Sequence, residues 1–228
     1  MSENNPPIRL ACLDMAGTTV ADDGLVLAAF SAALDAFGVQ AEAERARMTQ
    51  YVVDTMGESK ITVFRALFPG EETAAQEGNA AFENAYGEKV ALTRALPGAA
   101  ETFERLHSAG IKVALTTGFS RITADALLDH LGWRDLIDLS LTPGEVGGRG
   151  RPHPDMILAA ASRLFVDEPR AVAVAGDTAS DIRSGLAAGA RIVAGVLTGA
   201  HDRRTLTEAG ATSVLDHVAE LPALLDEH

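Results

Sequence analysis

Cysteine is almost missing from this chain of 228 residues; Cys12 is the sole example. A single cysteine cannot close an intramolecular disulfide, so the fold rests on its core, and a reducing compartment is expected. Cys12 itself reads as a small core residue within an apolar run. Lysine is scarce too. Of 19 basic residues only Lys60, Lys89 and Lys112 are Lys, and the rest are Arg. Where a plain positive charge suffices, this chain uses Arg. Each Lys therefore raises the question of amine chemistry, which a guanidinium cannot perform. Lys89 and Lys112 read as surface charges; Lys60 does not settle so easily.

Other absences narrow the class further. No apolar run is long enough to span a bilayer. Residues 1–7 carry no secretory pattern and read as a polar tail. No internal repeat or low-complexity segment is present. The six His residues lack zinc-ligand spacing, and His153, after Arg151-Pro152, reads as a turn residue. Positive charge is in deficit: the net charge is −13. That argues against a nucleic-acid groove and against an anionic membrane surface. The expectation is a cytoplasmic protein that acts on a small molecule.

Hydrophobic residues make up 47% of the chain, enough for one large domain or a domain with an insertion. Residues 8–13 form a short apolar strand. The pattern from residue 22 onward is helical, with stretches over 25–37, 42–55, 59–68 and 71–90. No strand signal interrupts residues 22–92, which hold twelve acids and five bases. Strands then alternate with helices: strands at 112–116, 137–141, 171–175, 192–196 and 212–215, helices at 99–109, 120–131, 154–165, 180–188 and 218–225. A glycine-rich loop spans 144–150. Trp133 is expected beneath the sheet edge. Such alternation implies a doubly wound parallel sheet, Rossmann-like, with helices on both faces. Residues 1–21 and 93–228 form the α/β core, and 22–92 form an all-helical insertion.

Four sites fall at the C-terminal ends of strands or in the loops after them: Asp14, Thr117, Arg151 and the pair Asp177/Asp181. Each has an ordinary alternative, as a helix N-cap, a turn residue or a surface cation. Together, each after a different strand, they converge on one crevice. They suit phosphoryl transfer. Asp14 is the candidate nucleophile for an aspartyl-phosphate. Asp177 and Asp181 offer hard oxygen ligands to Mg²⁺. Thr117 and the Gly118 N–H can hold phosphoryl oxygens at a helix N-terminus. Arg151 can pair with phosphate and with Asp14.

The segments Asp14-x-x-Gly17-Thr18, Thr117, Arg151 and Gly176-Asp177-x-x-x-Asp181 resemble the four motifs of the haloacid-dehalogenase superfamily over nearly the whole chain. The helical insertion resembles its type 1 cap. The Mg²⁺ set implied is Asp14, Ala16, Asp177 and Asp181. Most phosphatases of the superfamily carry a second Asp where Ala16 stands, as general acid and base. Ala16 and the Arg151-Pro152 motif instead resemble the phosphonatase branch, phosphonoacetaldehyde hydrolase. Met56-Gly57-Glu58-Ser59-Lys60-Ile61 and Arg65-Ala66-Leu67 resemble that branch's cap, whose Lys forms a Schiff base with the substrate aldehyde.

The resemblance thus implies a pocket of Met56, Gly57 and Lys60 over the phosphate site, and a homodimer through the cap's apolar face. Breaking a carbon–phosphorus bond expels a carbanion equivalent, and a protonated imine on Lys60 is a suitable electron sink. The substrate expected is a small phosphonate or phosphate ester. Two departures are visible: Val63 stands where that branch has a His, and the stretch over 21–24 lacks its Cys. Alternatives are a phosphomonoester phosphatase without the usual general acid, and a non-catalytic phosphate-binding regulator. A haloacid dehalogenase, whose chemistry has no need of the Asp177/Asp181 pair, ranks last.

Overall fold

The computed structural model describes residues 6–39 and 41–227; the rest of the polar tail expected over 1–7 lies outside the described residues. A six-stranded, all-parallel sheet forms the centre. Its strands are β1 (Leu10–Asp14), β2 (Lys112–Thr116), β3 (Leu139–Leu141), β4 (Val172–Gly176), β5 (Ile192–Val196) and β6 (Ser213–Leu215). The order is β3-β2-β1-β4-β5-β6. The winding therefore reverses between β1 and β4, and a doubly wound sheet opens a ligand crevice at that point. Asp14 ends β1, and Asp177 follows β4.

Strand residues alternate between the two faces. On β1, Ala11 and Leu13 join one core and Leu10 and Cys12 the other. Cys12 is fully buried, as expected, and burial pushes its thiol up to about 12. The first core runs on through Phe103 and Trp133, whose rings meet edge-on at 5.1 Å, into the helical insertion. The insertion consists of α1 (Leu25–Ala36), α2 (Glu42–Asp54), α3 (Lys60–Leu67) and α4 (Glu72–Gly87). Phe30, Phe64, Phe82 and Tyr86 bury the inner faces of α1, α3 and α4 against one another.

The remaining helices are α5 (Ala99–Ser108), α6 (Arg121–Leu131), α7 (Asp155–Arg163), α8 (Ala179–Ala187), α9 (Arg203–Glu208) and α10 (Leu221–Asp226). The two chain passages between sheet and insertion lie side by side. Ala21 N–H donates to Arg94 O at 2.9 Å, and Leu96 N–H to Thr19 O at 2.8 Å.

Several elements differ from the sequence expectation; the strand expected over 137–141, for one, is only Leu139–Leu141. The helix expected over 218–225 begins only at Leu221, after a 3₁₀ turn over Val218–Glu220. Pro222 has no N–H to give, and it is tolerated in the first turn but not further in. The short α9 was not anticipated. It is polar and lacks apolar periodicity, and Asp202 caps it by accepting from Thr205 N–H at 2.8 Å. The start of the glycine-rich loop overlaps a 3₁₀ turn, Pro143–Val146, held by a Thr142/Glu145 capping box.

Candidate active site

A cavity of about 280 Å³ opens between the sheet's C-terminal edge and the helical insertion. Of the candidate residues, Asp14, Ala16, Met56, Gly57, Lys60, Thr117, Gly118, Arg151 and Asp177 all line it. Asp181 does not; it stands behind Arg151.

The floor is built by strand ends. Asp14 is 5% exposed at the tip of β1. Arg151 Nη2 donates to Asp14 Oδ1 at 2.5 Å and to Thr116 O at 3.2 Å, while its Nη1 bonds Asp181 Oδ1. Burial works against the guanidinium's charge, but the carboxylates of Asp14 and Asp181 outweigh it and hold Arg151 more firmly protonated than usual. Asp181 has no free oxygen. Its Oδ2 accepts from Thr178 N–H at 3.1 Å in the capping box that starts α8. Asp177 accepts from Thr18 Oγ1 at 3.2 Å and from Ala200 N–H at 2.7 Å.

The ligand oxygens of Asp14, Asp177 and Asp181 lie within 4.8 Å of one another. Three ionised carboxylates and one guanidinium sum to −2. Burial, then the neighbouring carboxylates, raises Asp177 well above the carboxylate range and Asp181 to about 6. A cluster that resists its own ionisation and offers only hard oxygens fits a divalent cation such as Mg²⁺.

The roof is the segment before α3. Gly57 and Gly118 explain how it comes so close. Gly57 adopts φ 87°, and a Cβ there would collide with the Thr178 side chain. A Cβ on Gly118 would stand 2.6 Å from Glu58 O. Backbone thus meets backbone, with Lys60 N–H on Gly118 O at 3.4 Å.

Lys60 is 6% exposed and faces the cavity. Its Nζ lies 5.3 Å from the Phe119 ring centre, 5.7 Å from Phe82 and 5.8 Å from Phe30. Burial lowers its pKa below the usual lysine value, with Arg151 adding to the effect and Asp14, Glu83 and Asp22 opposing it. A desolvated amine of this kind releases its proton more readily and becomes a nucleophile. Val63, three residues on, is buried in the apolar core. Neither Lys89 nor Lys112 lines the cavity, and Lys112 Nζ bonds Leu164 O at 3.0 Å.

Several lining residues were not singled out from sequence. Phe119 lies two residues after Thr117, yet its place over the amine depends on the fold. The loop after β5 contributes Gly199, Ala200 and His201. His201 Nδ1 accepts from Ala179 N–H at 2.8 Å, so its ring proton resides on Nε2. Asp22 lines the cavity as well, and its carboxylate accepts from Gly24 and Val26 N–H, both at 3.1 Å. His153, by contrast, is an exposed turn residue, as expected.

Residues 8–189 match the model of the haloacid dehalogenase-like hydrolases, and the chain belongs to that family. It is therefore an enzyme of the hydrolase class. Among its relatives, phosphonoacetaldehyde hydrolase of Bacteroides fragilis is 29% identical, the match covering 96% of this chain and 95% of the relative. A solved hydrolase structure from Pseudomonas syringae superposes with a TM-score of 0.82 at 26% identity, covering 96% and 98% of the two chains. A phosphonoacetaldehyde hydrolase-like protein from Oleispira antarctica shares the fold, with a TM-score of 0.83 at 24% identity over 98% and 93%.

Proposed function

We propose that this enzyme hydrolyses the carbon–phosphorus bond of a small 2-oxoalkylphosphonate, with Lys60 as the imine-forming amine and Asp14 as the nucleophile. One observation carries the reading: a buried, aromatic-lined lysine with a lowered pKa opens into the same cavity as the Asp14 carboxylate. A general acid is missing at Ala16, and an amine is present where an electron sink is needed.

In this scheme residues 22–92 act as the cap. The neutral amine of Lys60 adds to the substrate carbonyl and, with loss of water, gives a protonated imine. Asp14 Oδ1 is held by Arg151, which leaves the second oxygen to attack phosphorus. The carbon–phosphorus bond breaks as the aspartyl-phosphate forms, and its electron pair flows into the imine to give an enamine. Protonation at carbon and hydrolysis return Lys60 and release the aldehyde or ketone. Water then cleaves the aspartyl-phosphate to inorganic phosphate. Thr117 and the Gly118 N–H hold phosphoryl oxygens, and Met56 and Gly57 close over the substrate. Asp14, Ala16 through its backbone, Asp177 and, behind them, Asp181 would hold Mg²⁺. When bound, the ion neutralises the repulsion between carboxylates and phosphoryl group.

The second reading is a phosphomonoester phosphatase. Val63 favours it, because no proton-transfer group stands where the phosphonatase cap has His. Mg²⁺-dependent phosphate release from phosphonoacetaldehyde, compared with release from simple phosphate esters, separates the two. Loss of the first activity alone in Lys60→Ala supports carbon–phosphorus cleavage.

A further inference from the structure

The cavity's lining is of two kinds. Asp14, Asp177 and Arg151 are polar, whereas Val26 and Leu27 of α1, Val53 of α2 and Met56 are apolar. Leu27 and Val53 keep 37% and 38% of their surface exposed. Apolar side chains left open at a cavity mouth gain by covering with an apolar group.

The charges beside the apolar residues are acidic: Asp22 and Asp23 also line the cavity, and Asp22 is fixed by hydrogen bonds from the N–H groups of Gly24 and Val26. The cations lining the cavity are Arg151 and Lys60. Arg151 is already committed to Asp14 and Asp181, and Lys60 is the reacting amine. His201 also lines the wall, with Nδ1 occupied by a backbone N–H. A second anionic group near Asp22 and Asp23 meets two carboxylates rather than a cation.

We infer that the substrate is a 2-oxoalkylphosphonate longer than phosphonoacetaldehyde, carrying a neutral aliphatic tail that lies against Val26, Leu27, Val53 and Met56. The inference rests on the carbon–phosphorus reading above. The reaction balances in the same way: one water is consumed, and phosphate and the longer ketone or aldehyde are released.

Calorimetry with n-alkylphosphonates, from methyl to pentyl, in the presence of Mg²⁺ tests the tail separately, because these ligands have no carbonyl. Affinity is expected to rise about fourfold per added methylene, the value of burying one CH₂. ω-Carboxyalkylphosphonates of equal length are expected to bind at least about tenfold more weakly. The exposed double variant Leu27→Gln/Val53→Thr should flatten the dependence on chain length. Affinity that is flat or falls with length, or tighter binding of the carboxylates, overturns the inference.

Phosphate release from phosphonoacetaldehyde and from 2-oxopentylphosphonate supplies the second arm. Faster release from the longer compound supports the inference. Release from phosphonoacetaldehyde alone overturns it and leaves the carbon–phosphorus reading standing. Release from neither overturns both.

Discussion

Glu83 accepts two hydrogen bonds from Ser120, one from its N–H at 3.0 Å and one from its hydroxyl at 2.6 Å. Glu83 lies on α4 of the insertion, and Ser120 caps α6 beside the sheet. The carboxylate thus sits at a helix N-terminus, where negative charge is favoured. Ser120 adjoins Phe119, one wall of the Lys60 enclosure, and Phe119 N–H bonds Thr117 Oγ1 at 3.2 Å. The contact ties the amine's surroundings to the phosphate loop. Glu83→Ala and Ser120→Ala should each lower kcat/KM, and the double variant should fall short of their sum by about 1 kcal/mol. Strict additivity would show that the contact carries no positioning.

Arg151 is buried between two carboxylates, and its removal leaves both unpaired. Arg151→Ala is expected to destabilise the fold by about 3–5 kcal/mol and to abolish turnover. Arg151→Lys restores one charge but not the fork that reaches Asp14 and Asp181 together, so it should recover stability in part and activity little. Urea unfolding with parallel kinetics checks both. Equal behaviour of the two variants would contradict the two-carboxylate role.

Asp181 is raised from 3.8 to about 6, and Asp177 is raised as well. Between those values the folded state binds more protons than the unfolded chain. The contribution of Asp181 is therefore full below pH ~4 and is lost as pH rises through about 6, and the raised Asp177 acts in the same direction. As these carboxylates ionise, the cluster becomes ready for a cation. Mg²⁺ should raise the Tm clearly at pH 7.5, by up to about 2.7 kcal/mol of stability at a hundredfold excess over Kd, and little at pH 5. Thermal melts at both pH values decide it. An equal Mg²⁺ increment at both, or one that persists in Asp177→Asn, would contradict this assignment.

The Tyr86 hydroxyl is fully buried and has no hydrogen-bond partner among the described residues. A polar group of this kind costs about 1–3 kcal/mol. Its ring packs on Phe119 at 4.5 Å, and Tyr86→Phe keeps that contact. The variant is expected to be more stable by about 1 kcal/mol in urea unfolding. A loss of stability would mean that the hydroxyl holds a partner.

Much of this was readable in sequence because it is local. An apolar strand ending in Asp14 and the Asp177/Asp181 spacing of one helical turn each leave a short-range pattern. The alternation of strands and helices implied a doubly wound sheet with one crevice, while the strand order that places it between β1 and β4 came from the structure. What was not readable depends on contacts across the fold. Glu83 meets Ser120 from 37 positions away. Nothing in the spacing of His201 reveals the Ala179 N–H that sets its tautomer. Asp181 was expected as a metal ligand, and it stands in the carboxylate cluster; that its oxygens are also shared with Arg151 and the α8 cap is a partition that only the packed structure shows. Pro222 carried its own signal, since a helix cannot begin far ahead of it.

The most direct test of the account is borohydride reduction of the enzyme during turnover of phosphonoacetaldehyde with Mg²⁺, followed by peptide mass analysis. The account predicts irreversible inactivation and a reduced two-carbon adduct on Lys60, absent from Lys89 and Lys112, with phosphate released before reduction. Undiminished activity and an unmodified Lys60, alongside turnover of an ordinary phosphate ester, would contradict imine chemistry and make the protein a phosphatase.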